Sequence, residues 1–152
     1  MLRGAHAITL DNKGRLAIPA RYRDWLREEC DGQLICTLDL VHPCLLLYPL
    51  PEWEHVEHRL RQLSSLQADE RRLQRLLLGN AAECELDGNG RILLPAPLRR
   101  HARLERDVML AGQLNKFEIW DADLWQQQIA EDIAALPHSD WQQSDKLRDF
   151  TL

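Results

Sequence analysis

The chain contains the stretch Leu10-Asp11-Asn12-Lys13-Gly14-Arg15-Leu16-Ala17-Ile18-Pro19-Ala20, which returns as Leu86-Asp87-Gly88-Asn89-Gly90-Arg91-Ile92-Leu93-Leu94-Pro95-Ala96. Aspartate, glycine, arginine, proline and alanine recur in step, and the offset is constant because 87 − 11 and 95 − 19 are both 76. A shared Asp-x-x-Gly-Arg-x-x-x-Pro-Ala string is much harder to obtain by chance than a shared apolar tract. An internal repeat determines the architecture of a chain. The sequence therefore predicts two related modules.

The likeness continues downstream at a shorter offset, because residues 48–53 align with residues 120–125 and each segment precedes a helical pattern. Modules this small cannot easily bury independent cores, so we expect them to pack together as one pseudo-symmetric unit. The predicted organisation is a first module with its following helix, a helical connector, a second module with its following helix, and an acidic, flexible tail. Their predicted bounds are residues 1–65, 66–80, 81–136 and 137–152.

The composition is typical of an ordinary water-soluble domain, with 45% hydrophobic and 28% charged residues in a chain of 152. No apolar run approaches the ~20 residues needed to span a bilayer, and residues 1–6 do not resemble a secretory signal. We therefore expect a cytoplasmic protein. The four cysteines form no Cys-x-x-Cys pair, which predicts reduced and partly buried thiols.

The net charge of −5 is unusual for a nucleic-acid-binding protein, since phosphate contacts favour a basic surface. The charges are distributed unevenly, however. Cations are concentrated in the first module, whereas the residues from Glu118 onward are mainly acidic. A locally basic face is compatible with DNA binding, so the global charge does not exclude it.

Each copy of the repeat predicts a tight hairpin that presents an arginine. In the first copy, residues 6–10 alternate as a strand and residues 11–14 have the composition of a turn. Arg15 then begins a second alternating strand, in which Leu16 and Ile18 point to the core and Arg15 points away. Pro19 suits the first turn of the helix that follows. Further short apolar strands are predicted at residues 33–38, 44–48, 108–111 and 117–120, and the connector helix is expected to end at Gly79.

The chain resembles the MraZ family of bacterial regulators, found at the head of division and cell-wall gene clusters. The resemblance rests on the twin Asp-x-x-x-Arg signatures at Asp11 and Asp87 and extends over nearly the whole chain. It includes residues 42–49, 70–72, 77–79 and 115–118. The second copy departs from the pattern, since Pro97 and Leu98 replace Arg21 and Tyr22, which leaves open whether module two contacts DNA as module one does.

The resemblance implies a fold and a function. The implied fold is mixed β with helices. It consists of two tandem AbrB-like modules of the swapped-hairpin, or double-split β-barrel, type, which form an intramolecular pseudo-dimer. Connector and flanking helices complete it. The function is sequence-specific DNA binding by a ring-like homo-oligomer on short guanine-rich direct repeats, with repression of its own operon, in the cytoplasm on the nucleoid.

Arg15 is the strongest candidate for a base contact, because a guanidinium can donate two hydrogen bonds to the O6 and N7 atoms of guanine. Lys13 and Arg3 would contact phosphates and set the register. The expected DNA-binding set is Arg15, Lys13, Arg3, Asp11, Arg91 and Asp87. The alternative is that Asp11 and Arg15 only pair across a solvated turn, a contact worth about 0–1 kcal/mol.

Two further groups of arginines leave their roles open. Arg21, Arg23 and Arg27 could bind phosphates or form a solvated helix face. Three arginines of the connector, at positions 71, 72 and 75, are better explained as the polar side of a helix.

No enzyme motif stands out. His55 and His58 are three residues apart, whereas the zinc motif His-Glu-x-x-His needs a spacing of four. The Cys-x-x-Cys element of zinc deaminases is missing, as are a phosphate-binding loop and a dinucleotide fingerprint. We therefore expect no catalytic residue, no metal and no cofactor. The alternative to a DNA-binding regulator is an antitoxin-like scaffold that uses the same fold to hold a protein partner.

Overall fold

The two copies of the repeat each contribute four strands. The computed structural model describes residues 1–150 and 152. The first copy comprises β1 (Leu2–Thr9), β2 (Arg15–Ala17), α1 (Ala20–Cys30), β3 (Gln33–Leu38), β4 (Leu45–Pro49) and α2 (Leu50–Arg61). After α3 (Ala68–Gly79), the second comprises β5 (Ala82–Glu85), β6 (Arg91–Leu93), α4 (Ala96–His101), β7 (Asp107–Leu114), β8 (Phe117–Asp121) and α5 (Ala122–Ala135).

The chain divides into two units, of which the first, Met1–Ala122, contains both sheets. The second unit, Asp123–Leu152, contains α5 from its second residue onward, short 3₁₀ turns at Leu136–His138 and Trp141–Gln143, and α6 (Asp145–Arg148). The predicted bounds of the modules, and the predicted flexibility of the tail, stay predictions.

Strands from the two copies pair with each other. A six-stranded sheet has the order β1-β7-β8-β4-β3-β5, and β2 pairs with β6 in a separate two-stranded ribbon. The pairs β1–β7, β4–β8, β3–β5 and β2–β6 all join the first copy to the second, and every pair is antiparallel. The predicted mixed β fold with helices is confirmed. The large sheet is not closed, since β1 and β5 form its edges.

The prediction that the two strands beside each turn pair with each other as a hairpin is wrong. Each turn forms as expected, but β1 pairs with β7 and β2 pairs with β6, so the strands that flank the first turn find their partners in the other copy. The reason is that the alternating apolar pattern specifies which face of a strand is buried but not which strand lies beside it.

The main core is shared by both copies. Leu16, Ile18, Ile92 and Leu94 are all buried within one cluster. Truncating such a side chain to alanine typically costs about 2–5 kcal/mol, and here it would loosen both copies at once. A second cluster joins α2 to β3 and β4, and its buried members are Ile35, Tyr48, Trp53, Val56 and Leu60.

The predicted thiols are confirmed: all four cysteines are free, and Cys36, Cys44 and Cys84 are buried. Pro19 lies one position earlier than expected, at the N-cap of α1. Among the described residues, no helix combines the length and the apolar character needed to cross a bilayer.

Candidate nucleic-acid interface

The first turn is organised by Asp11. Its Oδ1 atom accepts hydrogen bonds from the backbone N–H groups of Lys13 and Arg15, both at 2.9 Å. The backbone N–H of Gly14 donates to the carbonyl of Asp11 at 3.0 Å. Gly14 has a φ of +84°, a conformation that costs a residue with a Cβ but not glycine. Aspartate and glycine are therefore needed at these positions for the turn to close.

The second turn repeats these contacts. The Oδ1 atom of Asp87 accepts from the N–H groups of Asn89 at 2.8 Å and Arg91 at 2.9 Å, and Gly90 donates to the Asp87 carbonyl at 3.0 Å. Gly90 has a φ of +75°. The internal repeat of the sequence thus corresponds to two turns with the same hydrogen-bond pattern.

In each turn the aspartate also pairs with the arginine. The Nε atom of Arg15 lies 2.6 Å from Oδ2 of Asp11, and that of Arg91 lies 3.2 Å from Oδ2 of Asp87. The pKa of Asp11 is lowered to about 2, chiefly by the hydrogen bond from the Arg15 backbone. Hydrogen bonds from the Arg15 side chain and the Lys13 backbone add to this effect. The Arg91 backbone lowers the pKa of Asp87 by the same kind of contact. Both carboxylates are therefore charged at neutral pH.

These ion pairs orient the guanidinium groups without using all of their donors. An arginine carries five N–H donors, and the Nε–Oδ2 contact uses one of them. About 31% of the Arg15 side chain and 30% of the Arg91 side chain are exposed. Each arginine is therefore held in position by its aspartate and still has donors able to reach an external acceptor.

The two turns meet at the β2–β6 ribbon. Arg15 is paired with Leu93, Leu16 with Ile92, and Ala17 with Arg91. Leu16 and Ile92 are buried, at 0% and 1% exposure, so the residues on either side of them project from the outer face. Nη1 of Arg91 also lies 4.0 Å from Oδ2 of Asp11. The structure thus places both predicted arginines on one face of one ribbon.

A reciprocal pair of arginines supports the ribbon from the helices. Nε of Arg23, in α1, donates to the carbonyl of Ile18 at 2.6 Å. Nε of Arg99, in α4, donates to the carbonyl of Leu94 at 3.0 Å. Arg23 also packs against Gly90 and Arg99 against Gly14, so each arginine contacts the turn of the other copy. The two arginines occupy equivalent positions in the repeat, but the repeat pattern alone does not predict that each one contacts the turn of the other copy.

The other predicted residues are distributed differently. Lys13 is exposed at the tip of the first turn, next to Arg15. Arg3 lies near the opposite end of β1 from this turn, paired with Gln113. Since β1 extends to Thr9, Arg3 is roughly 20 Å from the turn at the usual rise of a strand. The structure therefore does not bring Arg3 to Arg15.

The helix cations have local contacts as well. Nη2 of Arg27 donates to the carbonyl of Asp87 at 3.3 Å, which brings a third cation to the second turn. Arg21 lies over the ring of Tyr22, at the end of β1 where Arg3 is found. Within the described residues, no three His, Cys, Asp or Glu side chains are grouped as metal ligands would be.

Comparison with known proteins supports the repeat and the resemblance. A sequence model of the MraZ family, described as "MraZ protein, putative antitoxin-like", matches residues 1–76 and again residues 77–149. The chain is 70% identical to the transcriptional regulator MraZ of Tolumonas auensis, over 100% of both chains. It is 58% identical to the protein of the same name from Pseudoalteromonas atlantica and 56% identical to that from Idiomarina loihiensis, again over 100% of each chain. Both copies of the repeat are thus domains of one family.

Proposed function

This chain belongs to the MraZ family, and from that premise we propose that it is a transcriptional regulator that binds specific DNA sequences through the β2–β6 ribbon. The observation that carries the proposal is the position of Arg15 and Arg91 on the same outer face of the ribbon. Each of them is oriented by its own aspartate. A pre-oriented guanidinium loses little freedom when it binds an acceptor, and the O6 and N7 edge of guanine matches its two-pronged geometry.

The shape of the ribbon supports this mode of binding. The major groove of B-DNA is about 12 Å wide and admits a two-stranded β-ribbon. In this mode the outer face meets base edges while Lys13, at the tip of the first turn, contacts a phosphate and sets the register. Arg3 would contact DNA only on a different surface, given its distance from the turn. The negative net charge then restricts binding to a few focused contacts.

The pairing of strands between the copies supports a single DNA-binding unit for each chain. We propose that the chain forms the pseudo-dimer of swapped hairpins found in AbrB-like proteins, and that several chains assemble into a ring. Subunits repeated around a rotation axis present their ribbons in the same orientation, and such an array fits short direct repeats better than a palindrome. The proposed target is a set of guanine-containing repeats upstream of its own division and cell-wall operon, where the protein acts as a repressor on the nucleoid.

A gel-shift experiment tests the proposal. The full-length protein is mixed with the DNA upstream of its own gene, and with a shuffled duplex of the same length and composition. We expect retention of the upstream DNA at protein concentrations that leave the shuffled duplex free. Equal retention of both duplexes would contradict sequence-specific binding.

The second candidate is an antitoxin-like scaffold that binds a protein partner, because the family to which both copies belong is described as antitoxin-like. The same gel shift distinguishes the two functions. A scaffold would leave the upstream DNA free, whereas a DNA-binding regulator retains it.

A further inference from the structure

The outer face of the ribbon carries an exposed leucine beside the arginine of the first copy. Leu93 is 55% exposed, although β6 is otherwise anchored by the buried Ile92. Its direct partner across the ribbon is Arg15. An apolar side chain thus stands on the same face as the proposed guanine contact.

The register of the ribbon determines how close the two side chains are. The N–H of Leu94 donates to the carbonyl of Gly14 at 3.0 Å, and that of Ile18 donates to Gly90 at 2.9 Å. Hydrogen-bonded and non-hydrogen-bonded pairs alternate along an antiparallel ladder, so Arg15 and Leu93 form a non-hydrogen-bonded pair. The Cα atoms of such pairs are about 4.5 Å apart and their side chains are close neighbours. Base pairs are stacked about 3.4 Å apart, so the two side chains are spaced to reach adjacent base pairs.

The second half of the ribbon is different. The residue equivalent to Leu93 in the first copy is Ala17, which is the partner of Arg91. Ala17 lacks the reach of a leucine. The two arginines are therefore related by the repeat, whereas their apolar neighbours are not.

We propose that Leu93 is a specificity-determining residue that contacts the C5-methyl group of a thymine next to the guanine bound by Arg15. Only thymine presents a methyl group in the major groove, and apolar side chains recognise it there. Because the opposite half has Ala17, the ribbon distinguishes the two ends of its site. This inference rests on the proposed function and adds to it an asymmetric recognition sequence.

The experiment removes the methyl group from the DNA and the leucine from the protein. Duplexes that bind the full-length protein best are first selected from a random pool. Each thymine of the selected duplex is then replaced in turn by deoxyuridine, which lacks only the C5-methyl group. Affinities are measured for the wild-type protein, for Leu93→Ala, and for the control Leu66→Ala. Leu66 is 92% exposed and lies in the chain between α2 and α3, outside both strands of the ribbon.

We expect one deoxyuridine, adjacent to an essential guanine, to weaken wild-type and Leu66→Ala binding roughly fourfold, the effect of losing one apolar methyl contact. Leu93→Ala should bind the thymine duplex about as weakly as the wild type binds the deoxyuridine duplex, and should show no further loss with deoxyuridine. Circular dichroism should show that Leu93→Ala is folded.

Three outcomes would overturn the inference. Specific binding of the selected duplex without any effect of deoxyuridine would refute it and leave the proposed function intact. An effect of deoxyuridine that persists in Leu93→Ala would assign the methyl contact to another residue. Failure to select any preferred sequence would refute the proposed function and this inference with it.

Discussion

Arg23 occupies the space in which a Cβ atom at position 90 would lie, so the side chain of an α1 residue in the first copy covers the turn glycine of the second. Arg99 covers Gly14 in the same way, with the roles of the copies exchanged. The two turns are therefore held in place by residues that lie far from them in sequence.

Gly90→Ala should destabilise the fold. A non-glycine residue at a φ of +75° is strained, and a Cβ atom there would displace Arg23 from the carbonyl of Ile18. We expect a loss of about 1–3 kcal/mol in the free energy of unfolding, measured by urea denaturation.

Gly88→Ala is the matched control, because a Cβ atom at this position of the same turn meets open space. It should change the free energy of unfolding by less than about 0.5 kcal/mol. In an Arg23→Ala background the cost of Gly90→Ala should fall, since the displaced contact is already absent. An equal cost in both backgrounds would show that Arg23 and Gly90 are not coupled.

Arg15→Ala should abolish most of the preference for the operator while leaving the fold intact. Loss of a two-pronged guanine contact costs about 1–3 kcal/mol for each copy that engages the site. Arg15→Lys keeps the charge but loses the planar geometry, so it should reduce affinity for the operator more than affinity for random DNA. Gel shifts measure both variants, with Arg72→Ala, on the exposed face of α3, as the control. Unchanged affinity in a correctly folded Arg15→Ala protein would refute the role of Arg15.

Lys13→Ala should weaken binding to all sequences alike. Affinity falls as salt rises, and a plot of log affinity against log salt concentration has a negative slope. If Lys13 neutralises one phosphate, its removal makes this slope less steep by about 1. The equivalent position of the second turn is Asn89, which is exposed. Asn89→Lys should therefore make the slope steeper by about 1. A change in sequence preference without a change in slope would indicate a base contact instead.

The stability contributed by Asp11 should depend on pH in a defined direction. Its pKa is about 2 in the folded protein against an ordinary value of 3.8. A carboxylate with a lowered folded-state pKa stabilises the fold above its ordinary pKa, and this contribution is lost as the pH falls toward the folded-state value. Urea denaturation of the wild type and Asp11→Asn should show a difference in stability that is constant near neutral pH and shrinks as the pH falls from about 5 through the folded-state pKa of about 2. A difference that does not change with pH would contradict the charged contact.

The spacing of the operator repeats should matter through helical phase. Contacts to one face of the duplex recur every 10–10.5 base pairs or so. Inserting about five base pairs between two repeats would turn one of them to the opposite face, and should reduce affinity far more than inserting a full turn. Equal tolerance of both insertions, or footprints over an inverted repeat, would contradict a ring on direct repeats.

Local features of the fold were predictable from the sequence. The strand predicted at residues 33–38 forms as β3, and the connector helix ends at Gly79. The turn chemistry of Asp11 and Gly14 also predicted a closed turn with Arg15 at its end.

The partners of the strands were not predictable in this way. The alternation of apolar and polar residues shows which side chains of β2 face the core. It does not show that β2 pairs with β6, because that pairing depends on packing between segments that are distant in sequence. The interpretation of Arg23 was open for the same reason. Its contact with Gly90 requires knowing that α1 lies against the turn of the other copy.

Because both strands of the ribbon belong to one chain, the two halves of the ribbon need not carry identical side chains, as they must in a homodimer. Two identical chains that pair through one strand must present the same side chain on both halves, and any improvement for one half-site is imposed on the other. Here β2 and β6 are separate stretches of one polypeptide. Ala17 and Leu93 can therefore diverge, as can Lys13 and Asn89, while the shared arginines and glycines keep the common framework. Two copies in one polypeptide can thus carry different side chains on the two halves of a pseudo-symmetric ribbon without changing its architecture.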